Sequence, residues 1–125
     1  MRKNLAITAF LGMLTIIIGA FGAHALKTKL DVSQLQSFET AVRYQMYHVL
    51  VLLFVNIYTG FSLKLKNRLT MLFLVGIVFF SGSIYAITAG GVSAKSIWFV
   101  TPLGGLFFII GWAMMGYQFL ISKRS

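Results

Sequence analysis

Charged residues cut this chain into four long stretches that contain none: Asn4–Leu26, Tyr44–Leu63, Leu69–Ala94 and Ser96–Ser122. Each is long enough to cross a hydrocarbon core of about 30 Å, which takes roughly 20 apolar residues in a helix. The one substantial polar segment, Lys27–Arg43, separates the first stretch from the second. The pattern predicts an all-α fold, a four-helix transmembrane bundle forming a single integral membrane domain over 1–125. Its spans are expected at about 4–25, 44–63, 69–89 and 101–122.

Local signals refine these elements. Asp31 or Ser33 is placed to cap a helix, and Leu35, Phe38, Val42, Met46 and Val49 then share one face at spacings of three and four. Glu39 and Arg43 form an i,i+4 pair on the other side. This reads as an amphipathic interfacial helix between spans 1 and 2 that runs into span 2; the alternative is a solvated loop joined to span 2. Lys64–Arg68 reads as a short link, so spans 2 and 3 form an antiparallel hairpin. Gly90-Gly91 ends span 3. Thr101 suits an N-cap for span 4, with Pro102 at the first helical position. Gly19 with Ala23, and Gly82, Ala86 and Gly90, are small residues at spacing four, the usual means of close helix packing in lipid. One alternative concerns span 1: Arg2-Lys3, an apolar run and Ala23-His24-Ala25 resemble a secretory signal with its cleavage site, although the apolar run is slightly long for a signal core.

Composition supports the membrane reading. Apolar residues make up 58% of the chain and mean hydropathy is +0.87, too high for an ordinary soluble domain. The net charge of +9 does not point to nucleic acid, because the basic residues lie at span ends and form no stripe. They set orientation instead. Arg2, Lys3, Lys64, Lys66, Arg68, Lys123 and Arg124 on one side outweigh Lys27, Lys29, Arg43 and Lys95 on the other, which predicts a multi-pass protein of the cell membrane with both termini cytoplasmic. Basic residues there also attract anionic lipid. Cysteine is absent, which excludes disulfides, thiolate metal sites and cysteine nucleophiles.

Ionisable groups inside a membrane are costly, so each is a functional candidate. His24 ends span 1 and His48 lies about one turn into span 2; in antiparallel spans both fall near the outer face. Tyr44 precedes His48 by one turn. Thr101, Gly104 and Gly105 bring the N-terminus of span 4, with its free N–H groups and partial positive charge, to the same face. Glu39, Arg43, Gln45 and Tyr47 border the region. Two readings stand: a small polar site for a lipid headgroup, an ion or a proton, or a hydrogen-bonded network that ties helix ends together. Two histidines at one depth are also the minimum for a bis-histidine haem, while no metal site is expected from two histidines and at most Glu39. Asn56 is expected in mid-span as an interhelical hydrogen bonder. Nothing resembles a catalytic carboxylate pair, a nucleophile elbow or a phosphate-binding loop, so no catalytic residue and no cofactor are assigned and the chain reads as a non-enzyme.

Several motifs carry a resemblance: Gly19-Ala20-Phe21-Gly22-Ala23-His24-Ala25-Leu26, then Phe38–Thr40 with Arg43-Tyr44-Gln45-Met46-Tyr47-His48, then Ser81-Gly82-Ser83-Ile84-Tyr85, and Thr101-Pro102-Leu103-Gly104-Gly105 with Gly111-Trp112. In this order, over nearly the whole chain, they resemble the YgdD/YwdK-like family of small membrane proteins, domain of unknown function 423. The resemblance implies a four-span inner-membrane protein without an established activity, and no family residue roles carry over. The expected function is a module that binds lipid or a partner membrane protein through the outer-face cluster, as a homo-oligomer, since glycine-lined faces favour self-association. The alternatives are a homo-oligomeric channel or transporter with Asn56 and His48 on a shared axis, and a haem-holding redox subunit.

Overall fold

The computed structural model describes residues 2–122; Lys123 and Arg124, counted above for orientation, lie outside the described residues. Helix α1 is Arg2–His24 and α2 is Val32–Ile57. The chain reverses between them through a turn that buries Leu26. Asp31, not Ser33, caps α2. Its side chain accepts from the Gln34 N–H at 2.8 Å, and the Gln34 side chain accepts from the Asp31 N–H, a reciprocal capping box.

No break separates an interfacial helix from a spanning one. Residues 32–43 are the first turns of α2 itself, because Phe38 and Ala41 are buried in helix contacts and nothing in the segment interrupts the hydrogen-bond ladder. Arg43 Nη2 donates to Thr40 Oγ1 at 3.1 Å rather than to Glu39.

The hairpin between spans 2 and 3 turns earlier than the charge pattern suggests. Helix α2 stops at Ile57, Tyr58 folds its ring over Gly60, and Ser62 caps α3 by accepting from the Leu65 N–H at 3.1 Å. The basic run expected as a link, Lys64–Arg68, is the first turn of α3. A glycine two residues before a capping serine was the local signal for this turn. The rod then continues as α3 Leu63–Ile77, a π-helical turn Val78–Gly82 and α4 Ser83–Thr88. It ends where Gly91 takes a φ of +72°, a conformation open to glycine. A short α5, Ala94–Ile97, precedes α6, Val100–Ile121. Thr101 is therefore not the N-cap. Phe99, which has no side-chain acceptor, holds that position without a side-chain bond, and the Thr101 hydroxyl is engaged with Ser83 on α4.

The helices pack as neighbours in chain order. Helix α1 lies antiparallel on α2, with Gly22 against Phe38, Gly19 against Val42 and Gly12 against Val49. Helix α6 lies antiparallel on the α3–α4 rod, with Gly104 against Phe80, Gly76 against Phe108 and Gly111 against Phe73. The α2–α3 hairpin joins the two pairs, and Leu52, Val55, Leu69, Phe73, Ile77, Phe108 and Met115 fill the core. Small residues thus permit close approach as lipid packing requires, at positions only partly those expected. A Cβ on Gly82 would meet nothing, so the Gly82–Ala86–Gly90 stripe does not close this fold.

Arg2–His24, Leu63–Thr88 and Ala94–Ile121 are long and apolar enough to cross a membrane. Helix α2 matches them in length at 26 residues but carries Glu39, Arg43, Gln45, His48 and Asn56.

Candidate functional site

The helix register separates the residues that the sequence places together. Val49 faces Gly12, so His48 lies level with the middle of α1. His24 is in the last turn of α1, about 18 Å away along the axis at 1.5 Å per residue. His24 is exposed and His48 is buried. The outer-face convergence of the two histidines is overturned, because α2 begins at Val32 and His48 is already deep within it. Within one chain, the bis-histidine haem loses its geometry for the same reason.

His48 instead sits in an aromatic box. Its ring stacks on Phe108 with centroids 3.7 Å apart and planes 5° from parallel. Phe73 lies at 5.5 Å and Tyr44 at 6.5 Å. Trp112 Nε1 donates to His48 Nε2 at 3.1 Å, and His48 Nδ1 lies 2.7 Å from the Tyr44 carbonyl oxygen. With Nε2 accepting, Nδ1 carries the proton and donates to that carbonyl, so one neutral tautomer satisfies both contacts. Tyr44 stacks on Phe80 at 4.9 Å. Tyr44 and His48 are thus adjacent as expected. Thr101 is bonded to Ser83, and Gly104, one turn before Phe108, is pressed against the Phe79–Phe80 backbone at the border of the box. Gly105 has only the edge of Phe80 nearby, at 3.9 Å for an added Cβ.

Two further polar layers are built on Gln45 and on Asn56, the latter an interhelical hydrogen bonder as expected; their partners on α1, α3 and α4 were not anticipated. Gln45, 2% exposed, donates from Nε2 to Thr15 Oγ1 at 2.8 Å and accepts from Tyr85 Oη at 2.7 Å, joining α1, α2 and α4. Ser81, inside the π-helical turn, donates to the Ala41 carbonyl at 2.7 Å. At the far end, Asn56 is the second-last residue of α2 rather than a mid-span residue. Its Nδ2 donates to the Leu52 carbonyl and to Thr70 Oγ1, and its Oδ1 accepts from Asn4 Nδ2 at 3.0 Å. Lys66 Nζ donates to the Asn56 carbonyl at 3.2 Å, and Asn4 also reaches Asn67. The signal for these layers was the run Asn4, Thr8, Thr15, Gly22, one narrow polar or small stripe on an otherwise apolar helix. Asn56 and His48 face the interior of the helix bundle. Among the described residues, no buried side-chain nitrogen or oxygen lacks a hydrogen-bond partner.

A recess opens between α1 and α2 near the C-terminal end of α1. Gly19, Gly22, Ala23, Phe38, Glu39, Val42 and Arg43 line a volume of about 200 Å³, several times the roughly 30 Å³ that one water occupies in the liquid. Its floor is apolar, and Glu39 and Arg43 stand at its edge, both exposed. It exists because Gly19 and Gly22 supply no side chains while Phe38 fills only the space above Gly22.

The family described as "Protein of unknown function (DUF423)" matches residues 18–105, a span that contains the whole recess. A UPF0382 membrane protein of Staphylococcus saprophyticus is 40% identical over 115 residues, covering 92% of this chain and 94% of its own. One from Haemophilus influenzae is 36% identical over 122 residues, covering 98% and 97%. The UPF0382 inner membrane protein YgdD of Escherichia coli K12 is 33% identical over 132 residues, covering 99% and 94%. No solved structure matches the chain.

Proposed function

We propose, from the premise that this chain belongs to the DUF423 family, that it is a non-enzymatic, multi-pass inner-membrane protein that binds lipid in the α1–α2 recess. In this reading α2 is the fourth span and both termini are cytoplasmic. The observation that carries it is the division of labour among polar groups. Among the described residues, each buried side-chain nitrogen and oxygen has a hydrogen-bond partner within the bundle, several of them across helices, which suits rigidity. Two exposed charged groups, Glu39 and Arg43, border an apolar recess. A helix with a polar stripe toward its neighbours and apolar residues outward is shaped for lipid on its free side, as Ile16, Ile17 and Phe21 of α1 show by their exposure.

The test is lipid retention. Protein released from mild detergent is weighed by native mass spectrometry, beside Ala23→Leu. Ala23 is exposed at the recess, so a leucine there occupies the recess without disturbing a packed contact. Wild type is expected to carry phospholipid mass, and Ala23→Leu to lose most of it at unchanged melting temperature. Equal retention by the two proteins, or none by either, refutes the reading.

A further inference from the structure

We infer that the recess selects a phospholipid whose headgroup carries a primary ammonium beyond its phosphate. This rests on the lipid-binding reading above and adds the headgroup class. Glu39 and Arg43 are one helical turn apart on α2 and both line the recess. Their side chains are neighbours on the helix surface, with Cβ atoms about 5–6 Å apart, the scale on which a two-carbon linker holds an ammonium and a phosphate. They are not consumed by each other, since Arg43 Nη2 bonds to Thr40. Both charges therefore face the recess from exposed positions.

Their order along the axis is what sets the class. Phe38 faces Gly22 and Val42 faces Gly19, so Glu39 stands nearer the end of α1 and Arg43 stands one helical turn deeper. A guanidinium at apolar depth is costly unless it reaches the interface or finds a partner. In a phospholipid the phosphate is the deeper group, bonded to the glycerol that carries the acyl chains, and an amine lies farther out. Arg43 thus meets the phosphate, for which its forked donors are matched. Glu39 meets the ammonium, whose N–H groups it can accept; a quaternary ammonium offers it none. Acyl chains then run along the apolar surface of α1. A headgroup without an amine leaves Glu39 beside the phosphate, a like-charge contact that costs affinity.

The experiment uses the full-length protein in nanodiscs of equal parts phosphatidylethanolamine, phosphatidylcholine and phosphatidylglycerol, with bound lipid identified by native mass spectrometry. The ethanolamine lipid is expected over the other two by about tenfold, the scale of one hydrogen bond to a charged group. Glu39→Gln brings the ethanolamine-to-choline ratio close to one while lipid remains bound. The double variant Glu39→Arg/Arg43→Glu keeps both charges, reverses their order, and also loses the preference. Both positions are exposed, and a melting curve confirms that each variant is folded. Lipid bound with no headgroup preference, a preference for the glycerol headgroup, or a preference that survives the charge exchange overturns the headgroup assignment and leaves the lipid-binding reading intact. No retained lipid, or retention unchanged by Ala23→Leu, overturns the lipid-binding reading itself.

Discussion

Substituting alanine at two adjacent glycines of α6 is expected to have opposite effects. A Cβ built on Gly104 would lie 2.3 Å from the Phe80 nitrogen and 2.8 Å from the Phe79 carbonyl carbon and the Phe80 Cα. All three are backbone atoms, so no rotamer change relieves the clash. Helix α6 must move off the π-helical turn by about 1 Å to restore an ordinary contact, which is the regime of core overpacking at about 1–3 kcal/mol. That shift also strains the Ser83–Thr101 hydrogen bond one turn away, a further loss of about 0.6 kcal/mol by the membrane average. The gain in helix propensity of alanine over glycine, about 0.8–1 kcal/mol, offsets only part. Gly104→Ala should therefore destabilise by roughly 1–3 kcal/mol. At Gly105 the same Cβ meets only the Phe80 ring at 3.9 Å, so Gly105→Ala should be neutral or stabilising by up to about 1 kcal/mol. Both are read by denaturant titration in detergent micelles, following tryptophan fluorescence, since Trp112 lies in the same interface. Equal midpoints for the two variants would refute the backbone-contact argument.

Two further substitutions probe the buried polar layers. His48→Ala removes the ring stacked on Phe108 and the acceptor of Trp112, and is expected to destabilise by about 2–4 kcal/mol with a shifted Trp112 emission; Lys64→Ala, on the exposed first turn of α3, should stay within about 0.5 kcal/mol. A double-mutant cycle of Gln45→Leu with Tyr85→Phe should give a coupling of about 0.6 kcal/mol, and up to about 1.7, while a coupling of zero would mean that the Tyr85–Gln45 bond adds nothing.

Much of the architecture was legible because lipid imposes it. Uncharged runs of sufficient length, ended by glycine pairs or by a capping aspartate, located the helices near Arg2–His24, Leu63–Thr88 and Ala94–Ile121, and the motif resemblance to DUF423 is borne out by the family match. The boundary at Ile57 was misplaced because hydropathy alone continues to Leu63, whereas Gly60 and Ser62 turn the chain there. The candidate site was less legible. Tyr44 and His48 were paired correctly by their i,i+4 spacing, but His24 was joined to them by an assumption about depth.

The amino-acid sequence by itself determined the solvent: long apolar runs with charges confined to their ends specify helices that satisfy their own backbone bonds in a membrane. It also determined which helices are neighbours, since short connections leave antiparallel packing as the only choice. Register was decided only by tertiary structure, because a helix slides along its partner without changing its hydropathy. Where it stops depends on which glycine admits which ring, as Gly22 admits Phe38 and Gly111 admits Phe73, and on which polar groups meet, as Thr15, Gln45 and Tyr85 do. That register carries His48 into an aromatic box, leaves His24 at the end of α1, and brings Glu39 and Arg43 beside a recess that two glycines leave open.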